Sequence, residues 1–269
     1  MTTDLHTHST ASDGLDTPGA LVARAKAAGV DLMALTDHDT LGGLDEAVAA
    51  ARRFGVRLVA GVELSVTVAG TEVHLLAYGV DPKHAALRDH LDGYRAVRLA
   101  RAAEMVERLQ ALGVPVTLAA VLARAGTGVV GRPHVAAEVV AVGGAPDIGQ
   151  AFARYLSDGG PAAVAKPEAD ARAMVRLVHD AGGLAVLAHP GLLPSDAVFE
   201  AMLGCGLDGL EVRHPTHGWA TAKWLHEEAR RGGLLETGGS DFHGRPMDMG
   251  RLGQYPASPD AVAALRRIV

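Results

Sequence analysis

Thr2-Thr3-Asp4-Leu5-His6-Thr7-His8-Ser9 decides the fold. Thr2 to Leu5 reads as a short strand, and it runs into two histidines spaced i, i+2, whose side chains point the same way from extended backbone. Two imidazoles at the end of one strand are placed to meet one metal ion. Outward from this segment the layout repeats. Asp31 to Thr36, Arg57 to Glu63, Leu184 to Ala188, Asp208 to Val212 and Leu234 to Thr237 read as strands, with helical patterns between most of them. Thr17-Pro18 and Ser258-Pro259 look like N-caps followed by proline at the first helical position. Gly29, Gly55 and Gly182-Gly183 close helices before the next strand. Alternation of this kind favours a parallel sheet or barrel.

Two stretches break the pattern. Ser65 to Ala69 and Glu72 to Tyr78 flank Gly70-Thr71 as an antiparallel hairpin. From Pro82 to about Ala163 the pattern is nearly all helical, roughly eighty residues without a barrel-like strand, far too long for a loop. The expected organisation is a barrel domain of residues 1–80 and 164–269 carrying a helical insert, or lid, of residues 81–163. A length of 269 residues is within the range that α/β barrels reach as one unit.

Composition narrows the function. A formal net charge of −6 argues against a broad electrostatic grip on duplex DNA and leaves a small or single-stranded substrate. The single cysteine, Cys205, excludes an intrachain disulfide and points to a reducing compartment. The N-terminus has no secretory pattern, and no apolar run is long enough to span a membrane, so the expectation is a cytoplasmic protein. The 13 histidines outnumber Phe, Tyr and Trp together, and their placement carries the chemistry.

Beyond His6 and His8, Asp13 lies in Ser12-Asp13-Gly14, His38 in Thr36-Asp37-His38-Asp39, and Glu63 at the end of the third strand. His74 lies in the hairpin, His134 follows Gly131-Arg132-Pro133, His189 ends the Leu184 strand, and Gly239-Ser240-Asp241-Phe242-His243 follows the Leu234 strand. Residues just after the strands of a parallel α/β fold converge at one mouth. Taken singly, each of these is as easily a hydrogen-bonded histidine or an Asx cap. Taken together, this many ionisable groups in one place would be costly without a cation. The donors are N and O with no thiolate, which suits manganese, iron or zinc, and their number suits a cluster of ions.

These segments resemble the PHP (polymerase and histidinol phosphatase) family of metallophosphoesterases, on Asp4-Leu5-His6-Thr7-His8-Ser9, Leu35-Thr36-Asp37-His38-Asp39, Gly61-Val62-Glu63-Leu64-Ser65, Ala188-His189-Pro190 and Gly239-Ser240-Asp241-Phe242-His243. Gly131-Arg132-Pro133-His134 and the run Ala181 to Pro190 look most like its stand-alone branch acting on 5′-phosphorylated RNA ends and nucleoside 3′,5′-bisphosphates. The resemblance implies a distorted seven-stranded (β/α) barrel with a helical insert and a trinuclear centre of divalent ions, manganese first. It implies that His6, His8, Glu63 and Asp241 hold one ion, Glu63, His74 and His134 a second, and Asp13, His38 and His243 a third. A hydroxide held between cations would attack phosphorus in line while the cations neutralise phosphoryl charge. His189 is the candidate general acid, with Asp241 and Glu63 the other catalytic residues. Arg132, Lys166, Arg213 and His214 are the candidate substrate contacts. Arg213 departs from the family, which more often has tyrosine there.

Competing readings fit less of the chain. Gly126-Thr127-Gly128-Val129-Val130-Gly131 has dinucleotide-loop spacing, but a helical pattern precedes it where a strand is required. A histidinol-phosphate phosphatase would share the fold and metals but not the insert and the Gly131 to His134 motif. A degenerate PHP domain serving as a binding module is opposed by the complete ligand set. An amidohydrolase would want a lysine bridge where Glu63 stands.

Overall fold

The computed structural model describes residues 1–166 and 168–268. The chain divides into two compact units, residues 1–89 with 168–269, and residues 90–167.

The first unit is built on a seven-stranded sheet in sequential order: β1 (Thr3–Asp4), β2 (Leu32–Leu35), β3 (Arg57–Val68), β4 (Thr71–Tyr78), β5 (Leu184–Leu187), β6 (Gly209–Arg213) and β7 (Leu235–Gly238). The pairs β1–β2, β2–β3, β5–β6 and β6–β7 are parallel, whereas β4 runs antiparallel to both β3 and β5. The ends nearly close into a barrel: Leu5 N–H donates to Gly238 O at 3.2 Å, and His8 N–H to Phe242 O at 2.9 Å. Thr7 and Phe242 form an isolated parallel bridge at that seam.

The helices are α1 (Pro18–Ala27), α2 (Leu44–Phe54), α3 (Ala85–Ala111), α4 (Leu118–Ala125), α5 (Arg132–Ala141), α6 (Ile148–Ala151), α7 (Ala171–Asp180), α8 (Asp196–Leu203), α9 (Trp219–Gly232) and α10 (Pro259–Leu265). The caps read from sequence are present. Thr17 Oγ1 accepts from Ala20 N–H and Ser258 Oγ from Ala261 N–H, each with proline next in the chain. The Gly-x-Gly-x-x-Gly segment joins α4 to α5, with no strand before it.

Period-two alternation sorts the β2 side chains. Leu32 and Ala34 join the barrel interior with Leu5, Val59, Leu76, Tyr78 and Val186. Met33 and Leu35 face outward onto Leu21, Val22, Leu44 and Ala47 of α1 and α2. Tyr78 is fully buried and its hydroxyl donates to Leu5 O at 2.9 Å, so the largest interior side chain is also satisfied. The second unit has its own core, Met105, Leu109, Val116, Val121, Val135, Val139 and Leu156.

The third strand differs from the sequence expectation. Arg57 to Glu63 and Ser65 to Ala69 do not form separate strands but one twelve-residue strand, β3, so Glu63 lies inside it and not at its end. The turn that follows is Ala69-Gly70, both with positive φ (48° and 72°), closed by the Val68–Thr71 pair. That conformation matches the twist of a two-residue hairpin.

Candidate metal centre

Glu63 is the hub. It is 1% exposed, and its two oxygens face different neighbours. Oε2 lies 3.3 Å from His6 Nε2, 3.3 Å from His8 Nε2 and 2.9 Å from His38 Nδ1. Oε1 lies 2.9 Å from His74 Nδ1 and 3.1 Å from His189 Nε2. Asp241 Oδ1 closes the first group, 3.4 Å from His6 Nε2 and 3.1 Å from His8 Nε2. Asp13 Oδ1 stands 3.3 Å from His243 Nε2 and 3.9 Å from His38 Nε2, and the His8 and His243 rings stack at 4.2 Å.

The loops are held by buried carboxylates that sequence reading left aside. Asp37 accepts from Ser9 N–H, Ser9 Oγ–H and Ser12 Oγ–H at 2.6–2.7 Å, fixing the turn that carries Asp13. A Cβ at Gly14 would fall 2.4 Å from His8 O, so only glycine lets this turn return so close. Asp39 accepts from Ser65 N–H, and Asp4 from Ser240 and Gly253 N–H, across the barrel seam. Asp39, His189 and Asp241 adopt the left-handed backbone region without being glycine, a strain that collects where side chains must be aimed.

The donor set fits divalent cations. His6 Nε2, His8 Nε2, Asp13 Oδ1, His38 Nδ1 and Glu63 Oε2 are buried, and although they lie near one another, none has a hydrogen-bond geometry. They face common points, as ligands do, instead of pairing. Among the described residues, four sets of three or four donors have their ligand atoms within 4.8 Å of one another: His8, Asp13, His38 and His243; His6, His8 and Asp241; His38, Glu63 and His74; and His6, Glu211 and His214. Burial opposes charge on Glu63, but His38, His74 and His6 around it hold its carboxyl well below the usual range. Burial, reinforced by His243 and His38, lowers His8 to about 3, so this ring is neutral and has a lone pair to give. Burial works against charged His243 too, yet Asp13 and then Asp241 outweigh it and raise the ring to about 9.

The ring nitrogens away from the cluster differ between histidines. His6 Nδ1 donates to Glu211 Oε1 at 3.0 Å and His243 Nδ1 to Asp241 O at 2.9 Å, which turns both Nε2 atoms toward the cluster. His134 Nδ1 accepts from Gly131 N–H at 3.0 Å, and His214 Nδ1 from Thr216 N–H at 3.2 Å. A neutral ring whose Nδ1 accepts carries its proton on Nε2 and is a donor there. His214 is buried with Nε2 3.5 Å from Asp241 Oδ2.

Of the remaining sequence candidates, Arg132 and His134 open α5 in the second unit, where Arg132 pairs with Asp158 at 2.7 Å. Lys166 is half-buried in that unit. Arg213 is exposed at the end of β6, past an irregularity in register with β7. Sequence reading missed Glu211, His217 and Arg245. His217 Nδ1 donates to Val212 O and Nε2 accepts from Gly191 N–H, a structural role. Arg245 reaches Asp13 Oδ2 at 3.5 Å.

A PHP domain model matches residues 4–121. The 5′-3′ exoribonuclease of Haemophilus influenzae is 37% identical, with 89% of each chain covered. The 3′,5′-nucleoside bisphosphate phosphatase of Chromobacterium violaceum is 37% identical over 92% of this chain and 89% of that protein. Phosphoribosyl 1,2-cyclic phosphate 1,2-diphosphodiesterase of Eggerthella lenta is also 37% identical, over 91% and 95%. Among solved structures, that of a predicted metal-dependent phosphoesterase from Bifidobacterium adolescentis superposes with a TM-score of 0.90 at 35% identity, over 99% of this chain and 96% of that one. A buried, hub-centred set of His and carboxylate donors at the mouth of a seven-stranded barrel, with relatives of this identity along its length, makes the chain a phosphoester hydrolase that belongs to the PHP family.

Proposed function

We propose that the protein hydrolyses nucleotide phosphate esters, as a nucleoside 3′,5′-bisphosphate 3′-phosphatase, a 5′-3′ exonuclease on short 5′-phosphorylated RNA, or both, using two or three divalent ions, manganese first. The observation that carries the reading is Glu63, buried with one oxygen toward His6, His8 and His38 and the other toward His74 and His189. When bound, the ions would supply charge for the phosphoryl oxygens and a lowered pKa for water.

In this reading His6, His8, Glu63 and Asp241 hold one ion, and Asp13, His38 and His243 another. His74 and His189 share Glu63 Oε1, so His189 joins the second ion as a ligand, and the general-acid role expected for it from sequence is given up. His134 takes the opposite course: with its Nδ1 lone pair engaged by Gly131, it is a hydrogen-bond donor in place of a ligand. His214, buried with Nε2 beside Asp241, is the proposed donor to a phosphoryl oxygen. Arg132, Lys166 and Arg213 are the cations available to the remaining phosphate charge. The cytoplasm, where such substrates arise, is the proposed compartment. Among the described residues no helix is long and apolar enough to cross a membrane.

The test is manganese-supported phosphate release from adenosine 3′,5′-bisphosphate, a 5′-phosphorylated oligoribonucleotide, phosphoribosyl 1,2-cyclic phosphate and histidinol phosphate, with His8→Ala and Glu63→Ala alongside. Release from either of the first two substrates, lost in both variants, is the expected result. Turnover of only the cyclic phosphate or only histidinol phosphate would keep the centre and overturn the substrate. Metal binding without turnover of any would make the domain a binding module.

A further inference from the structure

We infer that Glu211 is a positioning residue that fixes, with one carboxylate, both the ring of His6 and the backbone of His189 for metal binding. The inference rests on the metal-centre reading above. Glu211 is on β6 between Leu210 and Val212 and is fully buried. Its Oε1 lies 3.0 Å from His6 Nδ1, and its Oε2 accepts the backbone N–H of His189 at 2.7 Å.

A carboxylate offers only acceptors, so His6 must place its proton on Nδ1 and turn the Nε2 lone pair toward Glu63 and Asp241. At the other oxygen, His189 has φ 28° and ψ 55°, a left-handed conformation that a non-glycine residue keeps only when its surroundings hold it. β5 ends at Leu187, before His189, and the charge-assisted bond from Glu211 takes up the His189 N–H. Both oxygens are therefore engaged, which makes Glu211 an anchor behind two ligand segments, although it also falls in a donor group with His6 and His214.

Glutamine at this position has the same shape but one acceptor and one donor. Facing His6 with its amide, it forces the proton onto Nε2 and removes the lone pair from the cluster. Facing His189 with its amide, it opposes two N–H groups and releases the strained turn. No orientation satisfies both, so Glu211→Gln separates positioning from packing.

Metal-stripped wild type and Glu211→Gln are titrated with Mn²⁺ by calorimetry, and the stripped forms are melted in parallel. The expected result is a roughly 10- to 100-fold weaker Mn²⁺ affinity in the variant, as for other outer partners of ligating histidines, with the stripped melting temperature little changed. Wild-type affinity in the variant would overturn the inference. A second measurement stands apart from the variant's folding: histidine ¹⁵N spectra of Zn²⁺-loaded wild type should show His6 protonated at Nδ1, and a proton at Nε2 would overturn the inference. Absence of Mn²⁺ and Zn²⁺ binding by the wild type would overturn the metal reading itself, a distinct result.

Discussion

The strand ends that carry His6 and His243 and the segments that carry His134 and His214 use the same side chain in opposite ways. In the first pair Nδ1 donates, to Glu211 and to Asp241 O, so Nε2 is turned to the cluster, with a lone pair to give once its proton is displaced. In the second pair a backbone N–H, of Gly131 and of Thr216, points at Nδ1, which in a neutral ring assigns the proton to Nε2. On the proposed reading, a histidine's role here is set by its outer partner: an acceptor behind the ring makes a ligand, a donor behind it makes a donor.

The comparison breaks first at the ligands. His8→Ala and Glu63→Ala should each lower phosphate release by more than about a hundredfold and shed bound ions, since even outer-partner losses cost that much. Full ion content in either variant would remove the residue from the centre. Next, His214→Asn should cost about 10²-fold in kcat while ion content, read by elemental analysis, stays at the wild-type value. Loss of ions there would make His214 a ligand and erase its contrast with His6. A finer pair is His189→Asn against His134→Asn. The first should reduce the number of ions bound, the second should leave it unchanged and raise KM by about tenfold, the worth of one hydrogen bond to a charged group. The reverse outcome would restore His134 to the second ion.

A last effect is on pH. In the metal-free protein His243 stands at about 9, so between neutrality and that value an entering ion must displace its proton. His6, which burial opposes but Glu211, Glu63 and Asp241 raise well above 6.5, adds to the same direction. His8, lowered to about 3, is already neutral and releases none. Apparent Mn²⁺ affinity should therefore climb with pH by at least about tenfold per unit up to about 9, with proton release measurable in buffers of different ionisation heat. A flat profile would mean that the ring protons are not displaced.

Much of this was legible in the sequence, because strand-end histidines announce themselves by spacing. His6-Thr7-His8, Asp37-His38-Asp39, His189-Pro190 and Asp241-Phe242-His243 all follow short apolar runs, and the runs gave six of the seven strands to within about two residues. Glu63 was found, but its strand was ended there and a second begun at Ser65, whereas the backbone runs on unbroken with Asp39 accepting from the Ser65 N–H and hydroxyl. Glu211 was not found. A polar residue between Leu210 and Val212 reads as the solvent side of a strand, and only closure of the barrel turns that side inward, onto His6. Ring tautomers were beyond reach for the same reason: the partner of His6 Nδ1 is 205 positions away. Sequence spacing locates donors; their orientation is a property of the closed fold.

The most direct test of the central claim is to strip the protein of metal with a chelator and follow phosphate release from adenosine 3′,5′-bisphosphate as Mn²⁺ is returned. The account predicts no release from the stripped protein, recovery with added Mn²⁺, and no recovery in His8→Ala. Release from the stripped protein, or full recovery in the variant, would contradict it.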